Sequence, residues 1–139
     1  MQAVRNGPPR LSPFSLPGVR EQANLIEYFV HHEDVRRARP GWEPREIDQD
    51  LSDSLWRMLR MARFVLRKVA VGAELVRDDQ PGAADGVRFT ARARTPVVTV
   101  TGAPAELTMW ALGRTGAARV RLDGSQAALA ALQASAWSV

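Results

Sequence analysis

The chain has 139 residues, 45% of them hydrophobic and 24% charged, which is enough apolar material for a buried core in one domain or two small ones. It has no cysteine, which excludes disulfides, cysteine-ligated zinc and a cysteine nucleophile. The net charge is +4, but acidic residues are interspersed and no run of five or more Lys/Arg occurs, so nucleic acid is not an expected partner.

The N-terminal stretch "MQAVRNGPPRLSPFSLPG" is rich in Pro and Gly and predicts an extended arm over 1–18. It lacks the apolar core of a signal peptide, and no apolar run approaches the roughly 18 residues that span a bilayer. A cytoplasmic protein with no membrane partner is expected. A helix follows over about 19–38, stopped by Pro40, Gly41 and Pro44. A second helix is expected over about 51–69, capped by Asp50 or Ser52. Leu55, Leu59, Ala62, Leu66 and Val69 form its buried stripe, widened by Trp56, Met58 and Met61.

After Gly72 the period shortens. "AELVRD" (73–78), "VRFTARA" (87–93) and "VVTVTG" (97–102) predict strands, the first two joined by the turn-rich "QPGAADG". "APAELTMWALGR" (103–114) predicts a helix with Pro104 in its first turn, and its Met109 and Trp110 read as core. "ARVRLDG" (118–124) predicts a fourth strand. "SQAALAALQASAW" (125–137) predicts a final helix capped by Ser125. The fold class is α+β, in two parts: an arm and helical pair over 1–70, and an α+β module over 73–139.

The first helix gathers unusual chemistry in "NLIEYFVHHEDVRRA". At about 100° per residue, Glu27, His31 and Asp34 share one face. A carboxylate and an imidazole one turn apart can reach a single divalent cation from the same side. The same spacing also suits an ordinary i,i+4 contact. Asp34 is placed to orient His31. His32 points about 100° away and reads as a surface or interface histidine. Glu33, Arg36 and Arg37 read as solvent-facing, so the Glu27/His31/Asp34 side does not look like a mere solvated outside. Trp42 reads as a plug at the junction between helices. Arg114, at a helix end before Thr115 and Gly116, suits either a clamp on a substrate anion or a cation at a helix C-terminus.

"EYFVHHEDVRRA" followed by "PGWEPRE" resembles the actinobacterial metal-binding relatives of mycothiol-dependent maleylpyruvate isomerase, in the DinB-like helical-bundle superfamily. "TGAPAELTMWALGR" followed by "VRLDG" resembles their C-terminal domain, which is similar to sterol-carrier-protein-like α+β folds. The likeness runs from about Pro8 to Val139. It implies two helices of a DinB-like bundle ahead of a sterol-carrier-like module. It also implies a divalent metal, usually zinc, bound by Glu27 and His31, with mycothiol as a thiol cosubstrate; the expected partner is a small-molecule thiol or, through Arg114, an anionic substrate. In the family a further histidine comes from an earlier helix. Nothing upstream of Glu27 is a histidine here, so the chain is expected to match the C-terminal two-thirds of such a protein. Its first bundle helices are then missing, its metal site is incomplete, and exposed helix faces would allow self-association. The rival expectation is a non-catalytic α+β binding or interaction module with a vestigial metal pair.

Overall fold

The computed structural model describes residues 17–61, 66, 69–79 and 87–134, with side chains described from Asn24 onward. The expected arm up to residue 16, Ala62 of the second helix, the turn over 80–86 and the tail of the last helix over 135–137 lie outside the described residues. The described elements are α1 (Pro17–Arg37), α2 (Gln49–Met61), β1 (Gly72–Arg77), β2 (Val87–Arg92), β3 (Val97–Gly102), α3 (Pro104–Ala111), β4 (Arg121–Asp123) and α4 (Gln126–Ala134). The chain is α+β, with a mixed four-stranded sheet. No helix among the described residues is long and apolar enough to cross a membrane.

The chain divides into two compact units, Met1–Pro40 and Gly41–Val139. The sequence suggested a division near residue 70. The boundary falls at Pro40/Gly41 because α2 packs on α3 and gives Trp56 and Leu59 to the same core as the sheet.

In the first unit, α1 buries Ile26, Phe29, Val30, Glu33 and Arg37, a stripe at spacings of three and four. Two of these positions correct the sequence reading. Glu33 is fully buried and Arg37 is 8% exposed, although both read as solvent-facing. They are tolerated there because they neutralise one another: Arg37 Nε donates to Glu33 Oε1 at 2.9 Å, and Arg36 Nη1 donates to the same oxygen at 2.9 Å.

In the second unit, Asp48 rather than Asp50 or Ser52 caps α2: Asp48 Oδ1 accepts the Leu51 N–H at 2.8 Å. Leu55, Trp56, Met58 and Leu59 are buried as the periodicity predicts, while Met61 is exposed. The sheet order is β2-β1-β3-β4, with β1 antiparallel to β2 and parallel to β3, and β3 antiparallel to β4. Ala73 and Leu75 of β1 lie level with Val98 and Val100 of β3. These side chains form one face, which packs with Trp56 and Leu59 of α2, Leu107, Trp110 and Ala111 of α3, and Ala128 and Leu132 of α4. Trp56 meets Phe89 of β2 edge to face, with centroids 5.1 Å apart.

The connection from β2 to β3 crosses the start of β1. Gly72 N–H donates to the Pro96 carbonyl at 2.9 Å, and a Cβ on Gly72 would run into the Arg94 carbonyl oxygen. Only glycine fits under that crossing.

All eight residues of α3 are buried, so this helix is enclosed on every side. Its polar residues are satisfied locally: Glu106 Oε1 accepts the Arg119 N–H at 2.8 Å, and Thr108 Oγ1 donates to the Pro104 carbonyl at 2.7 Å. Pro104 occupies the first turn and Ser125 caps α4, its Oγ accepting the Ala128 N–H at 3.0 Å.

Candidate metal site

The α1 backbone sets Glu27 and His31 one turn apart, and both side chains are exposed. Asp34 is half-buried one turn further on. The exposed arc of the helix contains Asn24, Glu27, Tyr28, His31, His32 and Val35, opposite the buried stripe. At about 100° per residue, His31 lies near the middle of this arc, with Glu27 on one flank and Tyr28 and Val35 on the other. His32 is also exposed, further round. The Glu27/His31 side is therefore the outward side of α1, contrary to the sequence reading that set it apart from a solvated face. A stripe that accepts the Glu33–Arg37 pair leaves the opposite side to solvent.

The donor set is a carboxylate and an imidazole. It suits zinc or a similar borderline divalent cation, and two adjacent donors on one helix make half of a tetrahedral set. Among the described residues no group of three or more His, Cys, Asp or Glu is arranged to hold a metal.

Arg114 lies at the end of α3 and is tied to it. Its N–H donates to the Met109 carbonyl at 2.9 Å and the Gly113 N–H to the Trp110 carbonyl at 3.0 Å, the paired bonds of a Schellman terminus. Gly113 supplies the left-handed conformation at φ +88°. Arg114 Nη1 donates to the Leu112 carbonyl at 2.7 Å, where the helix leaves acceptors without intrahelical donors. Trp42 is half-buried and holds the Arg119 guanidinium 4.5 Å above its ring. Met109 and Trp110 are core.

One ionic cluster lies apart from the residues that the sequence patterns single out. Arg77 of β1 has a side chain only 5% exposed. It makes a two-point pair with Asp79, at 2.7 and 2.8 Å, and a further pair with Asp53 of α2 at 3.0 Å. Its guanidinium also lies 5.6 Å from the Trp56 ring centroid. The hydrogen bond from Gln49, then Arg77, hold the Asp53 carboxyl below its ordinary value. Asp79, then Asp53, raise Arg77 further above its own. The signal was present in "AELVRD": Arg77 continues the inward alternation of Ala73 and Leu75, so it had to enter the core with partners.

No family model, curated protein or solved structure matches this chain.

Proposed function

We propose that the chain is a metal-binding protein akin to mycothiol-dependent isomerases and transferases, with Glu27 and His31 as two ligands of a divalent cation, zinc foremost. What supports this is the pair itself: a carboxylate and an imidazole, both exposed, one turn apart on the outward arc of α1. Asp34, half-buried beyond His31, is the residue that would orient its ring. On this reading α1 and α2 are the helices of a partial DinB-like bundle. The sheet with α3 and α4 is the sterol-carrier-like module, on which α2 packs. The setting is cytoplasmic. A bound divalent cation supplies Lewis acidity that favours the deprotonated form of a thiol such as mycothiol. The chain's own residues bind and orient, and Arg114 is the cation for an anionic substrate.

The second reading is a non-catalytic α+β binding module with a vestigial metal pair. It is favoured by the engagement of Arg114 with the Leu112 carbonyl, which gives that arginine a structural task at the end of α3.

Metal analysis of the purified chain separates the two. The first reading expects bound zinc that is lost in His31→Ala and kept in His32→Ala. A wild-type chain that takes up no zinc from buffered zinc solution excludes it.

A further inference from the structure

Residues 42–48 follow the boundary between the two compact units and form neither helix nor strand before α2 begins at Gln49. They are exposed except at Trp42 and Ile47, which are half-buried. Gly41, just before them, turns the chain at φ +78°, and a Cβ there would meet nothing within 4 Å. At the far end the segment is fixed, because Asp48 caps α2.

Trp42 is held from a distant part of the sequence. The Arg119 guanidinium lies 4.5 Å from its ring centroid. Arg119 is itself well seated: its N–H donates to the buried Glu106 carboxylate of α3 at 2.8 Å, and Ala118 and Val120 on either side pack against the core. The cation is therefore presented by backbone that the second unit fixes, whereas the ring stands on a segment without regular structure. A cation–π contact at a partly exposed site is strong enough to bias such a segment and weak enough to break thermally.

We propose that residues 42–48 are a strap and that Trp42 beneath Arg119 is its latch, which sets the length of chain tethering the first unit to the second. With the latch closed, residues 38–41 separate α1 from the anchored ring, a reach of about 13 Å at roughly 3.3 Å per residue. With it open, residues 38–48 separate α1 from α2, and the reach rises to about 36 Å. The latch thereby governs the volume open to α1 and to the residues on its outward arc.

Limited trypsin digestion of the full chain reads the latch. Arg45 lies within the strap and is followed by Glu46, whereas Arg39 precedes Pro40, where trypsin does not cut. A protease needs an extended segment of several residues on each side of the bond, more than the stretch 43–46 offers between its half-buried neighbours. Cleavage after Arg45 therefore follows the open population. Arg119→Ala is expected to raise that rate about threefold or more relative to cleavage after Arg57 in α2, and Trp42→Ala to raise it similarly. The double variant is expected to go no further than either single one, because both remove the same contact. Arg119→Lys, which keeps a cation, falls between wild type and Arg119→Ala, and Arg121→Ala on the exposed β4 leaves the wild-type rate. An unchanged rate after Arg45 in both single variants overturns the latch. Additive effects in the double variant overturn the pairing of Trp42 with Arg119. A rise at Arg45 and Arg57 alike shows general loosening of the second unit and overturns the strap.

Discussion

Glu33 and Arg37 show how a single ion pair redirects a helix. Each would be costly to bury without a partner, yet at i and i+4 they neutralise one another inside the apolar stripe of α1. Glu33→Ala strips the buried guanidinium of that carboxylate and is expected to cost about 3 kcal/mol, read as a lower urea midpoint for loss of helical signal. Arg77 is the counterpart on the sheet. Arg77→Met keeps much of the apolar stem but loses both ion pairs and the ring contact with Trp56. Asp53 and Asp79 remain reachable by water, so the expected cost is about 1–3 kcal/mol, again as a urea midpoint. The Asp53 carboxyl is held below its ordinary 3.8 in the fold. A depressed folded value stabilises above the unfolded value and is lost as pH falls through the folded one. Acid titration of stability below about pH 4 is therefore expected to shallow in Asp53→Asn, while stability near neutrality falls.

Among the elements, α3 and the β2–β3 crossing carry the tightest constraints. The end of α3 depends on Gly113 at φ +88°, followed by Arg114 on the Met109 and Leu112 carbonyls. Gly113→Ala is expected to cost about 1 kcal/mol, measured by thermal melting, because a Cβ is disfavoured in the left-handed region. Gly72→Ala faces a harder obstacle, the Arg94 backbone carbonyl in the place of the added carbon. The crossing has to shift, and a loss of about 1–3 kcal/mol is expected in the same measurement. Strand and helix identities were readable from periodicity, since alternation and the 3.6-residue stripe are properties of neighbours along the chain. The crossing at Gly72 was not, because the residue it meets belongs to another strand.

For the molecule as a whole, the core cluster runs from Trp56 to Leu132 and lies wholly within Gly41–Val139. A fragment of residues 41–139 is expected to keep a cooperative melt and the β signal in circular dichroism; a non-cooperative melt would show that the first unit is needed for the second to fold. The placement of α2 with the sheet was hidden in the sequence. Its stripe of Leu55 and Leu59 states that one face is buried but not against what. The candidate site was half legible. The spacing of Glu27 and His31 showed that they share a face, but not which way that face points.

Local pattern decided the element order, the α+β class, the Pro104 start of α3, the Ser125 cap of α4 and the Glu27/His31 alignment. Each depends on residues within a turn or two of one another. The packing decided that Glu33, Arg37 and Arg77 are buried, that α2 joins the sheet, that Arg114 closes α3 and that His31 faces outward. Burial is a relation between distant parts of the chain. A charged residue enters a core only where its partners are in place; for Arg77 one of them is Asp53 on α2, which cannot be read from the strand alone.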